Sequence, residues 1–146
     1  MFTKILFPTD FSETSQRAMD YILQLKQNGV KEVVVLHVTD NHYLDKIEPF
    51  ILKDTVRQIK SKIDEETRQA LGATEKELRA RGFNVKIVTR SGHPAEVILK
   101  LEREEDVSGV VMGSHNPSGL LEKFFAVSVA EAVVHKSTRP VLVIKQ

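Results

Sequence analysis

The sequence predicts a single-domain α/β protein, with a doubly wound five-stranded parallel sheet and four helices. Residues 32–38 are apolar or β-branched almost without interruption, which is typical of a strand buried on both faces of a parallel sheet. Such segments alternate along the chain with segments of helical periodicity, which predicts βαβ units with right-handed crossovers. The length of 146 residues fits one domain, residues 1–146.

The first strand and helix are short and clearly bounded. Residues 5–7 form an apolar run before Pro8, and we expect a buried strand there. Ser12 has the side chain of a helix N-cap, and apolar residues then recur at helical spacing. Asn28 and Gly29 supply a left-handed stop, so the first helix is predicted at about residues 12–27.

The second strand, residues 32–38, is followed by a polar stretch at 39–49 that predicts irregular structure. A long helix is predicted at about residues 50–81, and it ends at Gly82. Its apolar positions fall on one helical face with charged residues opposite, the pattern of an amphipathic helix. These positions are Leu52, Val56, Ile59, Ile63, Thr67, Leu71 and Leu78.

The third strand, residues 85–89, is less uniformly apolar and is therefore predicted at an edge of the sheet. Residues 90–93 form the loop that follows it. Pro94 fits the first position of a helix that continues through Leu101, because proline needs no N–H there.

The last part of the chain predicts two more strands and one helix. Residues 107–112 read as a fourth, buried strand, and residues 128 to about 135 as a helix. Pro140 then precedes the apolar run Val141–Ile144, which predicts a fifth strand.

The loop after the fourth strand is the best candidate for a binding site. A strand, a loop containing Gly113 and a helix start would bring free backbone N–H groups and the positive end of a helix dipole together, where an anion such as phosphate binds. An alternative reading is structural. In it Gly113 only lets the chain turn, and Ser128 with Glu131 forms an ordinary capping box.

Composition argues against several classes of protein. Lys plus Arg number 21 and Asp plus Glu 20, so no overall charge attracts nucleic acid or anionic membrane. The N-terminal residues lack a signal-peptide pattern, and no apolar run is long enough to span a bilayer. The absence of cysteine excludes a disulfide and fits a reducing compartment, so we expect a cytoplasmic protein.

The sequence offers no catalytic or metal-binding set. No nucleophile, base and orienting group can be assembled from its motifs, so no catalytic residue is assigned. The five histidines lack metal-ligand spacing, and no protein-defined metal site is expected: His37, His42, His93, His115 and His135. His37, on a strand buried on both faces, is interpreted as a core histidine with a backbone partner.

Several motifs together resemble the universal stress protein (UspA-like) family over the whole length. They are Phe-Pro-Thr-Asp-Phe-Ser at 7–12, Leu-His-Val at 36–38, Gly-His-Pro at 92–94, Val-Met-Gly-Ser-His at 111–115, Ser-Gly at 118–119 and Ser-Val-Ala-Glu at 128–131. The resemblance implies the adenine-nucleotide alpha-hydrolase-like fold and the strand order 3-2-1-4-5. In that order the chain reverses direction between the first and fourth strands, which leaves a crevice at their carboxyl ends.

The glycine motif of this family is degraded here. Asn116 stands in the place of the second glycine and Val127 in the place of the third, with one more residue between them than in the family pattern. Asparagine tolerates a positive φ at a cost of a few tenths to about 1 kcal/mol. A valine does not, and its methyl groups would stand where phosphate needs bare backbone.

The resemblance implies an adenine nucleotide (ATP, ADP or AMP) in the crevice, with magnesium accompanying a triphosphate. It places Thr9 and Asp10 near the ribose and base, the backbone of Val38 at the base, and the loop from Met112 to Ser128 at the phosphates. The residues implied are Pro8, Thr9, Asp10, Val38, Met112, Gly113, Asn116, Val127, Ser128 and Val129. An alternative for Asp10 is a helix-start residue that accepts backbone N–H bonds.

Two functions stay open at this point. One is a universal-stress-type protein that binds an adenine nucleotide, without turnover, in stress response or signalling. The other is a homodimeric interaction or signalling module of the same fold that does not bind nucleotide. The apolar run Val141–Ile144 at the edge of the sheet is expected to pair with its own copy across a two-fold axis, and Leu142→Pro is expected to split that dimer.

Overall fold

The computed structural model describes residues 2–39, 42–114 and 129–145. These residues form one sheet of five parallel strands in the order β3-β2-β1-β4-β5, as the resemblance implied. The strands are β1 (Lys4–Pro8), β2 (Glu32–Thr39), β3 (Asn84–Ser91), β4 (Gly109–Gly113) and β5 (Val141–Ile144). The helices are α1 (Glu13–Leu25), α2 (His42–Ile47), α3 (Lys53–Ala80), α4 (Pro94–Glu104) and α5 (Val129–Lys136).

Helices cover both faces of the sheet and divide the core into two layers. On one face α1 and α3 pack on the sheet through residues such as Ile22 and Leu78, both fully buried. On the other face α4 and α5 contribute Leu101 and Val133, which are also fully buried. The central strands β1 and β2 thus lie between two apolar layers, which explains their continuous apolar runs.

The predicted ends of the first and third helices are confirmed. Ser12 caps α1 and accepts a hydrogen bond from the Ser15 N–H at 3.3 Å. A short 3₁₀ turn follows α1 and ends at Gly29, whose φ of +102° is the left-handed conformation that favours glycine. Gly82 ends the long helix with a φ of +89°.

Two predicted segments differ from the structure. Residues 39–49 are not wholly irregular, because they contain α2 and the start of a 3₁₀ turn at Glu48–Phe50. The predicted loop at 90–93 is shorter, because β3 continues to Ser91 in register with Thr39 of β2. The sheet pairing therefore extends further toward the carboxyl edge than the apolar pattern suggested.

No helix within the described ranges combines the length and the apolar character that crossing a bilayer requires.

Candidate functional site

The loop after β1 is fixed by backbone hydrogen bonds. The Thr9 N–H donates to the Leu36 carbonyl at 2.9 Å, which extends the β1–β2 pairing by one residue. The Thr9 hydroxyl accepts from the Phe11 N–H at 3.1 Å. Phe11 has a φ of +63°, uncommon for a residue with a side chain, so the chain turns sharply between Asp10 and Ser12. The buried Thr9 and the exposed Asp10 are held in place by this turn.

Asp10 both starts the helix and lines the site. Its Oδ1 accepts hydrogen bonds from the Ser12 N–H at 2.9 Å and from the Ser15 hydroxyl at 2.8 Å. These bonds confirm the helix-start interpretation of Asp10. The same side chain borders the pocket described below, so the two interpretations are compatible.

His37 stabilises the turn after β1 through one hydrogen bond and one ring contact. Its Nδ1 lies 3.1 Å from the Thr9 carbonyl oxygen, and since a carbonyl only accepts, Nδ1 carries the proton. The imidazole also stacks on Phe11, with ring centroids 5.0 Å apart and planes inclined by 26°. His37 thus has the backbone partner expected of a core histidine, and it supports the residue with the strained φ.

Position 113 requires a glycine, because the backbone of another segment packs closely against it. A methyl group built there would lie 2.7 Å from the carbonyl carbon of Thr14 and 2.9 Å from the Ser15 nitrogen. The φ of Gly113 does not lie in the left-handed region, unlike that of three other described glycines, so the backbone conformation does not require a glycine there. The interpretation that Gly113 only lets the chain turn is therefore wrong. The residue lets β4 contact the first turn of α1, beside the predicted binding site.

A pocket of about 180 Å³ lies at the carboxyl ends of β1 and β4, where the strand order reverses. Seven residues named from the sequence line it: Pro8, Thr9, Asp10, Val38, Met112, Gly113 and Val129. Five others were not predicted: Ser15, Leu36, Pro94, Ile98 and Ala130. The structure thus brings the predicted loops together around one cavity.

Some of the unpredicted residues had a signal in the sequence. Leu36 lies two positions before Val38 on the same strand and therefore on the same face. Pro94 and Ile98 are four positions apart on α4 and share a helical face. Asn116, Val127 and Ser128, which the resemblance placed at the phosphates, lie outside the described residues.

The lining of the pocket is mostly apolar, and its polar residues come from one part of the chain. Leu36, Ile98 and Met112 are buried apolar side chains, whereas the polar groups of Thr9, Asp10 and Ser15 belong to the turn after β1 and the start of α1. Pockets that enclose a whole drug-sized ligand measure roughly 300–1,000 Å³. This cavity is therefore smaller than a typical site for a whole drug-sized ligand.

The described residues hold no group of three or more His, Asp or Glu side chains placed to bind a metal ion. A doubly wound parallel sheet with a pocket at the reversal of strand order defines the class of α/β proteins that bind ligands at a topological switch point.

Comparison with known proteins gives the family within that class. A family model for the universal stress protein family matches residues 1–145. The universal stress protein MJ0577 of Methanocaldococcus jannaschii is 36% identical over an alignment of 157 positions, which covers 100% of this chain and 96% of the relative. The universal stress protein YxiE of Bacillus subtilis is 28% identical over 149 aligned residues, with 99% of this chain and 100% of the relative covered. The chain belongs to the universal stress protein family.

The fold is shared with solved members of the family. The structure of MJ0577 superposes with a TM-score of 0.80 at 37% identity, covering 100% of this chain and 97% of that one. The universal stress protein UspA of Lactobacillus plantarum has a TM-score of 0.76 at 18% identity, with 98% and 97% covered. The predicted adenine-nucleotide alpha-hydrolase-like fold, with strand order 3-2-1-4-5, is thereby confirmed.

Proposed function

We propose that this protein binds an adenine nucleotide (ATP, ADP or AMP) in the switch-point pocket, without turning it over, in stress response or signalling in the cytoplasm. The observation that carries the proposal is the pocket itself, which is mostly apolar and is also lined by the polar residues Thr9 and Asp10. An apolar slot with a few convergent polar groups is the usual form of a small-molecule site.

The parts of the nucleotide are allocated by chemistry and by the family resemblance. The base would lie among apolar side chains such as Val38 and Met112, and the ribose hydroxyls near Thr9 and Asp10, since a carboxylate accepts hydrogen bonds from hydroxyl groups. The phosphates would extend along the loop after Gly113, toward Asn116, Val127, Ser128 and Val129. A magnesium ion would accompany a triphosphate, held mainly by the phosphate oxygens.

Two distant structures of the same fold lend general support. One universal stress protein was solved in complex with cAMP, at 18% identity and a TM-score of 0.65. Another, from Archaeoglobus fulgidus, was solved in complex with dAMP, at 20% identity and a TM-score of 0.63. Both ligands are adenine nucleotides with a single phosphate group. Their binding depends less on an intact phosphate loop than the binding of a triphosphate does.

Calorimetric titration with ATP, ADP, AMP and adenosine tests the proposal. If the base pocket binds and the altered loop adds little, all four ligands bind with similar affinity. If the loop still holds phosphate, ATP binds more tightly than adenosine. Absence of heat with every ligand at hundreds of micromolar would overturn the proposal.

The second candidate function is a homodimeric interaction or signalling module of this fold that does not bind nucleotide. It is favoured by the position of β5 at the end of the strand order, with Leu142 42% exposed. A dimer through Val141–Ile144 is compatible with either function. Only a failure of the nucleotide titration combined with a stable dimer would favour this candidate over the first.

A further inference from the structure

The helix α3 is much longer than the sheet against which it packs. Its 28 residues span about 42 Å, whereas the eight residues of β2 span about 26 Å. Its only buried residues are Leu71, Thr74 and Leu78, all in the C-terminal third. The N-terminal half of α3 therefore continues beyond the core.

The apolar stripe of α3 continues along this N-terminal half. Leu52, directly before the helix, is 79% exposed and Ile63 is 43% exposed, with the half-buried Val56 and Ile59 between them. The spacing of these residues is four, three and four positions, the alternation that the seam positions of a coiled coil show. The β-branched Val56 and Ile63 occupy the positions where two-stranded coiled coils prefer such residues.

Positive charge borders the stripe. Lys53, Lys60 and Lys62 occupy three of the four flanking positions within this stretch, and the fourth is Thr55. None of these three lysines forms an ion pair with another described residue. Further along the same helix Glu65 pairs with Arg68 at 2.8 Å, and Arg79 pairs with Glu75 at 2.9 Å.

A second copy of this helix would be a poor occupant of the stripe. In an antiparallel pair that matches the four apolar positions, Lys53 of each copy would lie beside Lys60 of the other, and like charges repel. In a parallel pair, the flanking lysines of one copy would lie beside threonines of the other copy, so no attraction between charges would stabilise the pair. The flanking charges therefore disfavour an antiparallel pair of copies and add no stability to a parallel one.

An anionic membrane surface is also a poorer match. Helices that lie in a membrane interface bury a broad apolar face, whereas this stripe is one seam wide. The acidic run at residues 64–66 follows the stripe directly and would be repelled by anionic lipid. A partner helix with the opposite charge pattern fits both features.

We propose that the N-terminal half of α3 docks an acidic amphipathic helix of another protein, which packs apolar residues against Leu52, Val56, Ile59 and Ile63 and carries Glu or Asp beside Lys53, Lys60 and Lys62. The stripe stands beyond the carboxyl end of β2, since α3 follows that strand through α2. The partner would thus bind at the same carboxyl edge of the sheet as the pocket, although α3 lies on the other face.

The experiment uses a fluorescent three-heptad peptide with Ile and Leu at its seam and Glu at every flanking position. A matched peptide carries Lys at the flanking positions. Anisotropy titration of the full chain is expected to show the Glu peptide binding at least about tenfold more tightly than the Lys peptide. Lys53→Glu with Lys60→Glu is expected to reverse that preference, and Lys76→Glu, an exposed change further along α3, to leave it unchanged.

Ile59→Asp tests the apolar seam. It is expected to lower the affinity for the Glu peptide at least about tenfold. The temperature of thermal unfolding is expected to stay the same, because the residue lies outside the core layers. Equal affinity for the two peptides, or no binding of either, would overturn the proposal. Capture of the wild-type chain by phosphatidylserine vesicles, lost in Ile59→Asp, would also overturn it, because the face would then bind a membrane. A fall in oligomeric mass on Ile59→Asp would overturn it as well, because the face would then bind a second copy.

Discussion

The backbones of Gly113 and Thr14 meet without room for a side chain. A methyl group on Gly113 would lie 2.7 Å from the Thr14 carbonyl carbon. Backbone atoms cannot move aside as the end of a flexible side chain can. The end of β4 and the first turn of α1 are thus fixed relative to each other, and they form one wall of the pocket.

Gly113→Ala is therefore expected to destabilise the domain. Overpacking against backbone costs about 1–3 kcal/mol of the free energy of unfolding. Urea denaturation measures the change. Gly72→Ala is the matched control, because Gly72 lies within α3 with no atom within 4 Å of the added methyl group. It is expected to stabilise the protein by roughly 0.5–1 kcal/mol, as alanine is the better helix former. Changes of the same sign in both variants would contradict this account.

Much of the fold followed from the sequence, because strands buried on both faces leave a strong signal. Continuous apolar runs located four of the strands, the less uniformly apolar residues 85–89 located the edge strand β3, and Ser12 and Gly82 located helix ends. The helix α2 was missed because six residues are too few to show a helical period. The apolar pattern of α3 likewise could not show that its stripe continues beyond the sheet at Leu52 and Ile63.

The site was less predictable than the fold. Residues in the family motifs could be matched by position, and the structure brings seven of them to one pocket. The role of Gly113 could not be read from the sequence, since it depends on contact with Thr14, far away along the chain. Ala130 was missed for a related reason, because a buried apolar residue looks the same in sequence whether it fills the core or lines a cavity.

Filling the pocket should abolish binding without unfolding the protein. Val38→Phe places a larger side chain in the lining of the cavity and is expected to lower the affinity for AMP at least about tenfold. Val88→Phe is the control, because Val88 is equally half-buried and packs on the same core layer but does not line the pocket. Calorimetry of both variants, with thermal unfolding to verify the fold, tests the location of the site. Similar losses of affinity in the two variants would show a general packing effect.

The backbone of β5 shows which residues face the open edge. The Val110 N–H donates to the Pro140 carbonyl at 2.9 Å, and the Ser114 N–H donates to the Ile144 carbonyl at 2.8 Å. Since backbone groups alternate along a strand, Leu142 also faces β4, whereas Val141 and Val143 face outward. Leu142→Pro would therefore remove a bond within the chain, so it would not separate loss of a dimer from loss of stability.

Val143→Pro is the variant that tests a dimer through the β5 edge. It removes an outward N–H while leaving the β4 ladder intact, so it is expected to convert a dimer into a folded monomer. Leu142→Pro serves as the contrast and is expected to lower stability in any oligomeric state. Light scattering gives the mass. A wild-type mass of 16.5 kDa at tens of micromolar would reject the dimer, and a Val143→Pro chain that remains dimeric would place the interface elsewhere.

Glu105 makes stability depend on pH. Its Oε1 lies 2.5 Å from the Lys86 Nζ and its Oε2 lies 3.1 Å from the Lys4 Nζ. The hydrogen bond from Lys86, aided by that from Lys4, holds the pKa of Glu105 below its ordinary value, against the opposing effect of burial. A lowered folded pKa gives stability that is present above the unfolded pKa and lost as pH falls through the folded pKa.

Glu105→Gln is therefore expected to lower the free energy of unfolding by about 1 kcal/mol near neutral pH. The difference from wild type should disappear in acid, once the carboxylate is protonated. Denaturation at a series of pH values measures both effects. Glu104→Gln is the control, since Glu104 pairs with Arg90 at an exposed position and is expected to change stability less. A Glu105→Gln deficit that persists below the folded pKa would contradict this explanation.

The most direct test of the central claim is methyl NMR of the full chain during titration with AMP. The proposed site predicts that the methyl signals of Met112, Ile98 and Val129, which line the pocket, shift as the ligand is added. The signals of Ile22 and Leu78, buried on the opposite face of the sheet, should stay unchanged. Absence of shifts at ligand concentrations of hundreds of micromolar, or shifts confined to residues away from the pocket, would contradict the assignment of this pocket as an adenine nucleotide site.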